Sequence, residues 1–248
     1  MRKVTVVTGG GRGIGAAVAL RLARAGHDVG IGYERARDAA EATARAVRDA
    51  GGAAVAVQAD VSREEDVDAL FATVAGELGP VTGLVNNAGV PGPRGPFTET
   101  PVADIRRVID VNLTGTVLCA RRAALVMATS RGGAGGAIVN ISSGQATLGG
   151  GGDYVHYAAS KAGVDALTVG LSRELAGDGI RVNSVQPGVV DTEIHATMGD
   201  PDRAWTMGRA VPLGRPADPA EIASAVAWLM SDEASYTTGA VLRVAGGR

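Results

Sequence analysis

Tyr157 and Lys161 stand four residues apart in a segment of helical period, so both side chains project from one face. A free phenol, with a pKa of about 10, exchanges protons sluggishly at neutral pH. A neighbouring ammonium favours the phenolate and draws that pKa toward the working range. The pair therefore reads as a general acid/base for an oxygen that gains negative charge, such as a carbonyl oxygen whose carbon receives a hydride. A second cluster, Thr8-Gly9-Gly10-Gly11-Arg12-Gly13-Ile14-Gly15, follows an apolar run and precedes an Ala/Leu segment. Glycines there permit a tight turn and close backbone approach, and the helix start that follows offers free N–H groups to a pyrophosphate. His27, His156 and His195 are isolated from any Cys/His/carboxylate cluster at ligand spacing, so no metal is expected.

These groups need a scaffold, and the chain supplies an alternating one. Short Val/Ile-rich runs at 4–7, 29–33, 54–58, 83–85, 137–141, 181–185 and 240–244 alternate with helical-period segments at 16–25, 37–50, 64–78, 105–128, 157–175 and 221–230. Strands this short and apolar are expected where helices cover both faces, which predicts an α/β, Rossmann-type, doubly wound and mostly parallel sheet of seven strands. With 248 residues, the expectation is a single domain over 1–248 with a lid over the substrate at about 192–215, carrying His195, Met198, Trp205 and Met207.

Composition excludes several other classes. The 37 glycines follow no three-residue period, which rules out collagen, and no apolar run approaches the roughly 20 residues that span a bilayer. A net charge of −2 without Lys/Arg runs leaves no footprint for nucleic acid or an anionic membrane. No export signal is visible at the start, and the lone Cys119 suits a reducing compartment, so the expected location is cytoplasmic.

The glycine spacing Thr-Gly-x-x-x-Gly-x-Gly, Asn86-Asn87-Ala88-Gly89 and Tyr157-x-x-x-Lys161, in that order, resemble the short-chain dehydrogenase/reductase family. The detail from Asp153 to Tyr157 and at the Gly-Gly-Arg end is similar to its glucose-dehydrogenase-like and ketoacyl-reductase-like members. The resemblance spans essentially the whole chain and implies reversible hydride transfer between NAD(P)(H) and a secondary alcohol or its ketone. A non-catalytic nucleotide-binding regulator on the same fold is the alternative. The resemblance assigns Gly9, Gly13, Ile14 and Gly15 to the diphosphate turn, Asp60 and Val61 to the adenine end, and Asn87, Ala88 and Gly89 to the adenine-ribose side. Asp60 also suits a helix-start acid before Glu64-Glu65-Asp66. Pro187, Gly188, Val190 and Thr192 would wrap the nicotinamide. Ser143 would hydrogen-bond the substrate oxygen and Tyr157, with Ser142 the competitor, and Lys161 would also hold the ribose hydroxyls. Asn112 would hold a water linking Lys161 to solvent.

Two departures from the family pattern stand out. The step from Ser143 to Tyr157 is one residue longer than the commoner spacing, and Ala245 replaces a frequent Asp.

Coenzyme choice falls at the end of the second strand, where an acid would bond the ribose 2′-hydroxyl and repel a 2′-phosphate. The uncharged Tyr33 stands there, with Glu34 and Arg35 after it and Arg12 in the glycine turn, so NADP is expected over NAD. Helices 113–126 and 162–175 are apolar over more than one face, and the apolar tail at 240–245 offers another surface. In the family these helices form a four-helix interface, so a homotetramer is expected ahead of a homodimer.

Overall fold

The computed structural model describes residues 2–193 and 202–248. One sheet carries β1 (Lys3–Val7), β2 (His27–Tyr33), β3 (Ala54–Gln58), β4 (Val81–Asn86), β5 (Gly136–Ile141), β6 (Ile180–Pro187) and β7 (Val241–Val244). Its order is β3-β2-β1-β4-β5-β6-β7, and every neighbouring pair is parallel. Side chains alternate faces along each strand, so Val6, Leu84 and Ile138 enter one core and Val7, Val85 and Val139 the other. The first core is closed by α3 (Glu64–Leu78) and α5 (Gly115–Met127), the second by α1 (Gly13–Arg24), α2 (Arg37–Asp49) and α9 (Pro219–Met230). Double coverage is why these strands read as nearly unbroken apolar runs.

The expected 105–128 helix is more elaborate than its periodicity suggests. α4 (Val102–Ile109) passes through a π-helical turn at Asp110–Thr114 into α5. Asn112 sits in that wide turn, and its backbone carbonyl accepts the Thr116 hydroxyl at 2.7 Å. Two short helices, α6 (Gln145–Leu148) and α8 (Arg203–Gly208), have no counterpart in the sequence reading because they complete too few turns to show a period. Helix α7 (Val155–Glu174) starts just ahead of Tyr157. The sheet order reverses direction between β1 and β4, and a ligand crevice forms at the carboxyl ends of strands beside such a switch point.

Candidate active site

The glycine turn leaves β1 at that switch point. Gly13 takes φ +52, a left-handed backbone that favours glycine, and α1 begins there. Arg12, at the N-cap, gives the helix start no side-chain hydrogen bond, so its first N–H groups are free for an anion. A Cβ on Gly15 would collide with the Gly9 carbonyl and the Asn87 side chain, so only glycine lets the turn close this tightly. β4 fastens the turn from beside it. The Asn87 amide donates to the Thr8 and Gly9 carbonyls at 3.0 Å each, while the Thr8 hydroxyl accepts the Asn87 and Ala88 N–H groups, also at 3.0 Å.

A cavity of about 660 Å³ opens over this turn. Of the positions assigned in the sequence to catalysis or coenzyme binding, all line it except Gly15 and Asn112. Those lining it include Gly9, Arg12, Ile14, Val61, Ala88, Gly89, Pro187, Gly188, Val190 and Thr192. The uncapped helix start, the glycine approach and the cavity's reach from Tyr33 to Tyr157 fit a dinucleotide.

Asp60 stands four residues ahead of α3, whose N-cap is Arg63 with no side-chain hydrogen bond, so it is not an acid of that helix start. It lines the cavity, and its carboxylate also accepts the Ser62 N–H at 3.0 Å and the Ser62 hydroxyl at 2.7 Å, while its own N–H donates to Asp66 at 2.9 Å. Burial pushes its carboxyl up, but the Ser62 bonds and the Arg107 and Arg63 guanidiniums outweigh that and leave it lowered.

At the opposite end, β5 delivers Ser142 and Ser143, and α7 delivers Tyr157 and Lys161. The two serines differ in their bonds. Ser142 is buried and donates to the Lys161 carbonyl at 3.1 Å. Ser143 accepts the Gln145 N–H at 3.1 Å and lies within hydrogen-bond reach of the Tyr157 phenol. Lys161 is buried, its Nζ donates to the Ile141 carbonyl at 2.7 Å, and it stands 5.9 Å from the Tyr157 ring centre. Burial pushes Lys161 down to about 8, against the opposing pull of Asp165. Burial pushes the Tyr157 phenol up, and the Ser143 hydrogen bond acts against it. The phenol is therefore raised here by burial, where the sequence led to the expectation of a lowered one.

Asn112 works from behind. Its amide accepts the Val90 N–H at 2.8 Å and donates to the Val90 carbonyl at 2.9 Å and the Ser160 hydroxyl at 3.1 Å. A Cβ on Gly89 would sit 3.3 Å from the Asn112 oxygen and 3.5 Å from Lys161 Nζ, so the 88–90 turn packs between the two.

Several residues bearing on the site were not singled out in the sequence. Arg107 on α4 donates to both oxygens of Glu34, at 2.9 and 3.2 Å, and Arg35 pairs with the same carboxylate at 3.1 Å. All three line the cavity, as do Tyr33 and Arg12. Arg107 precedes Val111, another lining residue, by one helical turn, but no local sequence signal marks it, because its partner Glu34 is 73 residues away. Tyr154 and Arg203 also line the cavity.

The histidines divide. His27 is buried against Thr5 at 2.8 Å and is pushed down to about 4, chiefly by burial and then by Lys3 and Arg2. Burial also lowers His156, whose Nε2 has no hydrogen-bond partner among the described residues. Of the expected lid, His195 and Met198 lie outside the described residues. Met207 on α8 lines the cavity, and the exposed Trp205 donates to Asp191 at 3.1 Å.

Residues 9–248 match the family model described as enoyl-(acyl carrier protein) reductase. The chain is 45% identical over 250 residues to an uncharacterized oxidoreductase, YgfF, of Escherichia coli strain K12, covering 99% of each. It is 43% identical over 249 residues to 3beta-hydroxysteroid dehydrogenase 1 of Eggerthella lenta, covering 99% of this chain and 93% of that one. Among solved structures, a blue fluorescent protein from a metagenomic library, in complex with NADPH, superposes with a TM-score of 0.88 at 35% identity, covering 99% and 97% of the two chains. Fold and site together define a nicotinamide-dependent oxidoreductase acting on alcohol CH–OH groups and the corresponding ketones. The chain belongs to the short-chain dehydrogenase/reductase family.

Proposed function

We propose that this enzyme transfers a hydride reversibly between NADP(H) and a secondary alcohol or its ketone, with Tyr157 as general acid/base. The observation that carries this reading is the meeting of Ser143, Tyr157 and Lys161 in the same cavity as an uncapped helix start on a glycine turn. The bound nicotinamide supplies or accepts the hydride at the carbinol carbon. Tyr157 gives its phenolic proton to the substrate oxygen in reduction and takes it back in oxidation. The Ser143 oxygen already accepts an N–H, which leaves its own O–H to donate to that oxygen or to the phenol. Lys161, charged, stabilises the phenolate and holds the ribose hydroxyls, while Asn112 positions the turn beside it.

Coenzyme preference follows from the charges around Tyr33. Glu34 would repel a 2′-phosphate, but Arg107 and Arg35 hold its carboxylate and offset its charge. With Arg12 added, the ribose end carries more guanidiniums than carboxylates, which favours NADP. The enzyme assembles as a homotetramer. Support comes from the edge strand β7, where Val241 is exposed, from the exposed Tyr236 and Trp228 nearby in sequence and fold, and from Val117 on α5.

The experiment that tests the reading follows nicotinamide absorbance with NADPH and with NADH across neutral ketones, oxo-acids, ketoacyl thioesters and sugars. Reduction of at least one ketone, faster with NADPH, is expected. Binding of coenzyme without turnover of any carbonyl would contradict it.

A further inference from the structure

Arg203, the first residue of α8, is 8% exposed and lines the cavity. A guanidinium withdrawn from water needs its N–H groups satisfied, and a buried charge needs a close counter-ion. Arg203 has one counter-ion among the described residues, Asp153, and shares it. Its Nη2 donates to Asp153 Oδ2 at 3.3 Å, a long bond for a charged pair, and it also reaches the Tyr154 hydroxyl. Asp153 is itself shared, since its Oδ1 accepts Arg94 Nε at 3.2 Å and Arg94 Nη2 at 3.0 Å. Arg203 makes no further hydrogen bond among the described residues.

Tyr154 stands between Arg203 and Tyr157 in the same cavity wall. The guanidinium lies over the Tyr154 ring at 5.7 Å, and that ring meets the Tyr157 ring edge-on at 6.1 Å. Two ring contacts therefore connect the cation to the phenol that handles the proton. Met207, one turn along α8, lines the same cavity and packs with Val189, and Leu148 adds another apolar side chain to the wall. A ligand suited to these surfaces has an apolar body, an oxygen for Tyr157 and an anion for Arg203.

We propose that Arg203 forms an anion subsite and that the substrate is a compact hydroxy- or oxo-carboxylic acid, its carboxylate held by the Arg203 guanidinium while its carbinol or carbonyl group meets Tyr157. A planar guanidinium matches a carboxylate through paired N–H donors, and a water-poor wall strengthens the pairing. Asp153, held by Arg94, orients Arg203 without consuming all its donors. This inference rests on the oxidoreductase reading above and adds the substrate's charge to it.

The test compares 4-oxocyclohexanecarboxylate and 4-oxopentanoate with their methyl esters, measuring kcat/KM with NADPH for the wild type, Arg203→Met, Arg203→Lys and Arg248→Ala. Arg248 is the control because it also lines the cavity but is exposed. In the wild type the acids are expected to be preferred by about tenfold or more, the scale of one charge-assisted hydrogen-bonded pair. Arg203→Met loses that preference while leaving the esters within about threefold, Arg203→Lys keeps part of it, and Arg248→Ala keeps all of it. Equal use of acid and ester by the wild type, an equal loss on both in Arg203→Met, or loss of the preference in Arg248→Ala would each overturn the subsite.

A binding arm separates this inference from the reaction class. Cyclohexanecarboxylate should raise the Tm of the NADPH-loaded wild type, but not of Arg203→Met, and cyclohexanecarboxamide should raise neither. Carboxylate binding that depends on Arg203, with no carbonyl turned over, would keep the subsite and sink the oxidoreductase reading. Turnover of neutral ketones with no carboxylate effect would do the reverse.

Discussion

Around the diphosphate turn, at the coenzyme end of the cavity, the wall is set by closely packed backbone: a glycine turn, a helix start and the Asn87 bonds that lock them. At the substrate end the lining is side chains drawn from distant segments, with Arg203 and Arg94 meeting Asp153 across 50 and 59 residues. The first kind of surface tolerates almost no change because the packing is atom against atom. The second can be rewritten one side chain at a time, so it is where relatives on one fold diverge in substrate.

The largest effect expected from breaking this contrast lies in the turn. Gly15→Ala places a Cβ against the Gly9 carbonyl and Asn87, so NADPH affinity by fluorescence titration should fall about 10- to 100-fold, the scale of an overpacked site. Leu148→Ala, at the substrate end, should leave that affinity unchanged and alter only the KM for the ketone. If both variants weaken NADPH equally, the contrast fails.

Within the coenzyme end, the ribose pocket is the part where side chains decide. Arg107→Ala should weaken NADP about tenfold more than NAD, and Arg12→Ala should cost NADP roughly 1 to 2 kcal/mol more than NAD, the scale of a partly exposed charge-assisted bond. Glu34→Gln should tighten NADP by removing a like charge. Isothermal titration with each coenzyme checks all three, and equal losses on both coenzymes would assign Arg107 and Arg12 structural roles only.

How much of this was legible in the sequence follows the same division. Val4 to Val7 and Ala137 to Ile141 announce strands because burial on both faces leaves almost only apolar residues, Thr5 and Asn140 being the exceptions. The glycine turn and the Tyr157/Lys161 pair are legible because their chemistry depends on neighbours within a few residues. Arg107 and Arg203 were not, since their meaning comes from partners 73 and 50 residues away. Nor was the balance at Tyr157, because desolvation is a property of the packed site and not of the motif. The π turn around Asn112 was hidden too, since one widened turn leaves the 3.6-residue pattern nearly intact.

A smaller effect tests the scaffold apart from the cavity. His27 is lowered to about 4, so between that value and its ordinary 6.5 the unfolded chain binds a proton that the folded chain does not. Stability should therefore fall as pH drops from 6.5 toward 4, with His27 contributing on the order of 2 kcal/mol to the loss. Urea unfolding across that range should show a shallower slope in His27→Gln, and an unchanged slope would remove His27 from the account. Smallest of all, Trp205→Phe deletes an exposed bond to Asp191 and should shift stability by about 0.5 kcal/mol or less.

The central claim is that Tyr157 moves the proton while the rest of the cavity holds the coenzyme. Tyr157→Phe removes the transferred proton and almost no contact area, so one preparation should be assayed for both NADPH affinity and turnover. The account predicts affinity within about threefold of wild type and a turnover below about a thousandth of it. Turnover retained above about a tenth of the wild-type rate, with coenzyme still bound, would contradict it.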